Sequence, residues 1–101
     1  MPDADAVYIP EVERTYADWL EKHRNGFVIN APKSGTQPMM WHQADCEHIQ
    51  PFENTRLVEG DWLKACSLNA GTLAVWAMTY GRELHYCKDC RDMWLKEQRS
   101  T

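Results

Sequence analysis

The residues best suited to chemistry in this chain are its four cysteines and four histidines, and their spacing points to a metal. Cys87-Lys88-Asp89-Cys90 is a Cys-x2-Cys turn, which lets two thiolates face one tetrahedral ion from a single tight loop. It falls between an extended segment and a helix, and a helix N-terminus favours thiolate over thiol. Such a pair is half of a zinc site. The stretch His42-Gln43-Ala44-Asp45-Cys46-Glu47-His48 offers the other half, with His42 and Cys46 four apart and Cys46 and His48 two apart. The leading ligand set is His42, Cys46, Cys87 and Cys90. A second set exchanges His42 for His48, and a third uses Cys66 in a four-thiolate site. Cys66 also reads as a buried core thiol, because it alternates with Leu63 and Ala65 in an apolar strand and free cysteine buries readily. His23 reads as a core or rim histidine, and His85 as a residue on a strand face.

Other chemistries fit less well. A catalytic zinc keeps one position open for water, whereas four protein ligands close the site. The zinc deaminase pattern needs His-x-Glu and Pro-Cys-x-x-Cys. Here Glu47 follows Cys46 directly and Tyr86 precedes Cys87, so both halves fail. A thioredoxin-like motif is expected to have most of its domain after it, but only 11 residues follow Cys90. A triad of Cys66, His85 and Asp61 has no supporting local motif, and no Gly-rich phosphate loop is present. The expectation is a protein without catalytic activity.

Elements must position these residues, and 101 residues suffice for one thin-cored domain. Tyr16, Trp19, Leu20 and His23 share one face of a helix that starts near Val12, with Asn25-Gly26 as a left-handed stop. Phe27-Val28-Ile29 and Met39-Met40-Trp41-His42 form a hairpin across Pro32 and Ser34-Gly35-Thr36. Residues 43–60 read as a long loop, and 62–66 as a third strand. Ser67 or Asn69 caps a helix carrying Leu73, Trp76, Ala77 and Tyr80, which Gly81 ends. Leu84-His85-Tyr86 is a fourth short strand, and residues 89–99 form a last helix with Met93 and Trp94 inward and Lys96 and Arg99 near its end. Residues 1–10 read as a flexible arm and 11–101 as a single zinc-stabilised domain. The implied class is α+β: a small antiparallel sheet flanked by helices, set on one side of it.

The formal charge of −4 excludes a globally basic nucleic-acid coat. The N-terminus is acidic and lacks an apolar signal region, and the longest apolar run, Leu73–Met78, is far short of the roughly 20 residues that span a bilayer. A cytoplasmic protein is expected, with reduced cysteines and no membrane partner. Trp19, Trp76 and Trp94 lie on apolar helix faces and read as core. Trp41 and Trp62 bracket the long loop and are the candidates to stack a nucleobase, with Arg56 and Lys64 to meet phosphate.

The motifs Gly26-Phe27-Val28-Ile29-Asn30, Trp41-His42-Gln43-Ala44-Asp45-Cys46-Glu47-His48-Ile49, Lys64-Ala65-Cys66 and Cys87-Lys88-Asp89-Cys90 resemble a small zinc-binding domain of uncharacterised bacterial, especially actinobacterial, proteins. The match covers residues 15–92. The resemblance implies that His42, Cys46, Cys87 and Cys90 carry the metal pattern, with Cys66 at the Lys-x-Cys position. It also implies a nuclease or DNA-restriction context. The combined expectation is a zinc-stabilised recognition module for nucleic acid, modified bases included. The alternative is an adaptor that binds a protein partner.

Overall fold

The computed structural model describes residues 6–51 and 57–90. Helix α1 spans Glu13–Lys22. Strands β1 (Phe27–Pro32) and β2 (Met39–Gln43) form the expected hairpin, with Gly35 at φ 87° in its turn. A single 3-10 turn, Glu47–Ile49, precedes β3 (Trp62–Ser67), helix α2 (Ala70–Tyr80) and β4 (Leu84–Tyr86). Lys88–Cys90 are again helical. The remainder of the expected last helix lies outside the described residues, as do Arg56, Met93, Trp94, Lys96, Arg99 and residues 1–5.

The four strands run in the order β3-β1-β2-β4. The α+β class holds, with two differences. First, β4 joins β2 in parallel, Met39 opposite Leu84 and Trp41 opposite Tyr86, while the other pairs are antiparallel. The chain reaches β4 through β3 and α2, a crossover long enough to return it to the same end of the sheet. Second, the helices lie on opposite faces rather than one. Alternation along β1 sends Ile29 and Ala31 to one face, where they meet Met39, Ala65 and the α2 residues Leu73 and Ala77. Val28 and Cys66 point the other way, onto Tyr16, Trp19 and Leu20 of α1. Each helix therefore needs only one apolar stripe to cover one sheet face.

Local chemistry sets the helix ends. The Asn69 side chain accepts a bond from Thr72 N–H at 3.0 Å, and Gly81 closes α2 at φ 79°. Gly26 is not the left-handed stop expected; among the described glycines only Gly35 and Gly81 have positive φ. It is glycine for space: a Cβ there would sit 2.7 Å from Trp19 Cη2 and 3.1 Å from the Ser67 carbonyl oxygen.

The segment read as a flexible arm is anchored over its second half. Tyr8 exchanges two 2.8 Å backbone bonds with Cys66 along the edge of β3, and Val7 packs beside the α2-facing core. The described parts of the long loop are tied down as well. Tyr16 OH donates to the Ile49 carbonyl at 2.7 Å, and Gln50 Nε2 donates to the Ala44 and Cys46 carbonyls. Glu13 Oε1 accepts from Val58 N–H at 2.9 Å.

Candidate metal centre

Three separate pieces of chain bring four donors to one point under the α1-facing side of the sheet. His42 lies on β2, paired with Val28 and so on the same face as it. Cys46 follows the strand at the head of the 3-10 turn, fixed by its N–H to the Gln43 carbonyl at 3.0 Å. Cys87 leaves β4 with its N–H on the Trp41 carbonyl at 2.9 Å, so the parallel edge strand delivers it beside β2. Cys90 lies one helical turn on. The ligand atoms of all four lie within 4.8 Å of one another, and each residue is buried, at 6–7% exposure. This buried His/Cys3 group could hold a metal ion.

The geometry inside the group is specific. Cys46 Sγ and Cys87 Sγ are 3.9 Å apart, so they are not bonded, and all four cysteines of the chain are free. Gln43 N–H donates to Cys90 Sγ at 3.3 Å, a backbone contact that favours a sulfur carrying negative charge. Burial pushes the Cys46 and Cys90 thiols above their ordinary range, because a thiolate away from water is costly without a compensating charge. Burial, with His48 and Lys64 adding repulsion, lowers His42 to about 4. The imidazole is therefore neutral across the physiological range, the form in which histidine binds metals. Its Nδ1 is buried and has no hydrogen-bond partner among the described residues.

Of the alternatives, His48 is exposed and its Nε2 contacts Asp89 Oδ2 at 2.6 Å rather than joining the buried four. Cys66 is fully buried in the core under α1, with Sγ 3.8 Å from the Lys64 carbonyl, and is not in the group. Its reading as a core thiol is the one the structure supports. His23 packs its ring against Trp19 at the end of α1, tilted 52° from it with centroids 4.9 Å apart, and His85 pairs with Glu83 at 3.0 Å on the surface.

The residues proposed to meet nucleic acid are not brought together. Lys64 is 3% exposed and its ammonium donates to the Leu57 carbonyl at 2.7 Å, so it cannot reach a phosphate from this position. Its neighbours across the sheet point inward, and a long stem on that face has nowhere else to go. Trp41 shares the α2-facing side with Ile29, between Phe27 and Tyr86 at 5.6 and 6.0 Å. Trp62, paired with Pro32, points to the opposite face. Two indoles on opposite faces of a sheet cannot flank one base. Arg56 lies outside the described residues. The residues that sequence reasoning passed over are Glu47 and Asp89, which gather with His48 at the surface. Their position inside the two ligand-bearing turns was the available signal.

The fold and this group define a small α+β domain with a candidate His/Cys3 metal centre. No protein family, curated protein or solved structure matches the chain. No helix among the described residues is long and apolar enough to cross a membrane.

Proposed function

We propose that the chain is a non-catalytic recognition module whose fold depends on one structural Zn2+ held by His42, Cys46, Cys87 and Cys90. The observation that carries this reading is the 3.9 Å separation of Cys46 and Cys87 sulfurs. Sulfurs bound at about 2.3 Å to a tetrahedral ion stand about 3.8 Å apart. Three sulfurs and a neutral imidazole suit zinc, and the buried Nδ1 of His42 has no partner among the described residues to satisfy it. Four buried ligands leave no open position for a water or substrate, which supports a structural rather than a catalytic role. Four unpaired thiols fit a reducing cytoplasm. The resemblance to a bacterial zinc-binding domain implies the same four ligands, and we carry it forward as part of this proposal.

For the partner, a protein is the better supported class. Helix α2 has no charged residue from Ala70 to Tyr80, and Val75 and Met78, three apart on its outer side, are 61% and 80% exposed. A nucleic-acid partner keeps one supporting observation, the Trp41–Tyr86 aromatic pair at the β2–β4 edge, with Tyr86 exposed. Elemental analysis of the reduced, purified protein tests the metal, and about one zinc per chain is expected. Binding is tested by screening plain and modified DNA and RNA against wild type, Tyr86→Ala and Val75→Asp/Met78→Asp. Nucleic-acid affinity lost in Tyr86→Ala alone would replace the protein-partner reading.

A further inference from the structure

The two turns that carry the buried ligands also carry a second set of donors. Glu47 and His48 directly follow Cys46 on the 3-10 turn, and Asp89 lies between Cys87 and Cys90. One donor atom from each of Glu47, His48 and Asp89 falls within 4.8 Å of the others, although Asp89 is more than 40 residues away in sequence. All three side chains are exposed, and the His48 ring stacks over that of His42 at 6.5 Å between centroids, 23° from parallel. The group therefore lies directly outside the buried centre and is chemically different from it: one nitrogen and two carboxylates instead of three sulfurs and a nitrogen.

We propose that Glu47, His48 and Asp89 form a second divalent-cation site, open to solvent, at the mouth of the buried centre. Two carboxylates facing one imidazole are short of positive charge, and a dication supplies it. Imidazole and carboxylate ligands suit borderline and hard ions such as Mn2+, Co2+ and Zn2+, whereas the buried thiolates select softer or strictly tetrahedral ones. Three protein ligands leave the remaining positions to water, so this site exchanges its ion and outer ligands freely, which a closed four-ligand centre does not. The backbone beneath it is preset: Gln50 Nε2 holds the Cys46 carbonyl at 2.9 Å, and Cys87 N–H is fixed to β2. The donors are thus held near one another by the fold, before any ion arrives. An ion entering between His48 and Asp89 replaces their 2.6 Å hydrogen bond. The site does not depend on the identity of the metal in the buried centre.

The test is titration of Mn2+ into the full chain as purified, with the signal of free aqueous Mn2+ followed by electron paramagnetic resonance. One Mn2+ per chain is expected to bind. The variant His48→Gln/Asp89→Asn is expected to bind it at least roughly tenfold more weakly, because losing even an outer partner of a metal ligand costs about 10- to 100-fold. Glu47→Gln, at an exposed position, gives the same readout should the double variant fold poorly. Zinc content of a Cys90→Ser sample against wild type reports the buried centre, while the outer-site variants report only on Mn2+ binding, so failure there and failure here are distinguished. Absence of Mn2+ binding up to millimolar concentration, or equal affinity in wild type and Glu47→Gln, overturns the proposal.

Discussion

Replacing Cys90 by serine is the sharpest probe of the proposed structural zinc. Serine keeps the size of the side chain but is a poor zinc ligand, and it removes the sulfur that accepts the Gln43 N–H bond at 3.3 Å. A structural zinc contributes about 10–16 kcal/mol of apparent binding energy, which is also folding energy. A domain of this size is stable by about 5–15 kcal/mol in all. Losing even a quarter of the zinc contribution, about 3 kcal/mol, lowers the melting temperature by about 12–24 °C. Cys66→Ser is the matched control. It changes a fully buried thiol of the same face into a hydroxyl with the Lys64 carbonyl as its nearest partner, so it costs about 1–3 kcal/mol but touches no ligand. Thermal unfolding followed by tryptophan fluorescence, with metal content of each sample, makes the comparison. Cys90→Ser should lose metal and stability together, and Cys66→Ser should lose some stability and keep its metal. Retention of one metal per chain in Cys90→Ser, or its loss in Cys66→Ser, would refute the ligand assignment.

Four further outcomes follow from single contacts. Tyr16→Phe leaves the buried Ile49 carbonyl without its 2.7 Å donor and should cost about 1–3 kcal/mol in urea unfolding. Gly26→Ala places a methyl 2.7 Å from Trp19 Cη2 and should destabilise by about 1–3 kcal/mol, and a neutral result would mean that α1 can slide away. Burial lowers the Lys64 ammonium from 10.5 to about 8, opposed by attraction to Glu13, which corresponds to about 3 kcal/mol against the charged form. Below pH 8 both folded and unfolded chains hold that proton and the full penalty stands. Between pH 8 and 10.5 only the unfolded chain keeps it, so stability should rise with pH across that window. Lys64→Met should then be more stable than wild type by about 1–2 kcal/mol at pH 7 and should lack Lys64's share of that rise; a lower melting temperature would contradict the account. Asn69→Ala removes the acceptor of Thr72 N–H and should cost about 1 kcal/mol, measured the same way.

Sequence spacing was informative where the chain's own periodicity decided the outcome. Tyr16, Trp19 and Leu20 bury together because three and four residues make one helical face, and the β1–β2 hairpin follows from two β-prone runs around a glycine turn. The four candidate ligands were legible because cysteine pairs and histidines have few other reasons to cluster. What spacing could not give was which face each element meets. The parallel placement of β4 depends on the length of the path through β3 and α2, and the side occupied by α1 depends on which of two alternating apolar sets it covers. Lys64 was misread for a related reason. A lysine is usually solvated, and only the register, with Lys64 opposite Asn30 and Cys66 opposite Val28, reveals that its position faces inward. The opposed orientations of Trp41 and Trp62 are a parity result, fixed once both strands are registered against β1.

The position of the candidate metal centre suggests what would hold so short an edge strand. β4 pairs with β2 over three residues only, Leu84 to Tyr86, and of these Leu84 alone is even partly buried. Ordering the seven residues from 84 to 90 costs about 1–2 kcal/mol each in backbone entropy, or about 7–14 kcal/mol. The backbone bonds available, among them Met39 N–H to the Glu83 carbonyl at 2.7 Å and Cys87 N–H to the Trp41 carbonyl at 2.9 Å, return about 0.5–1.5 kcal/mol apiece. A handful of such bonds leaves a deficit of several kcal/mol, and little apolar burial is present to cover it. An ion bound by Cys87 and Cys90 on one side and by His42 and Cys46 on the other, as proposed above, would supply a contribution of that size at that point. Chelation by EDTA should accordingly release β4 first. Hydrogen exchange at the Met39 and Cys87 amides, which bond across the β2–β4 edge, should rise before exchange in the β1–β3 ladder, which the α2-facing core also holds. Uniform loss of protection across all four strands would instead mean that the metal holds the whole sheet, and equal protection with and without chelator would mean that β4 needs no metal at all.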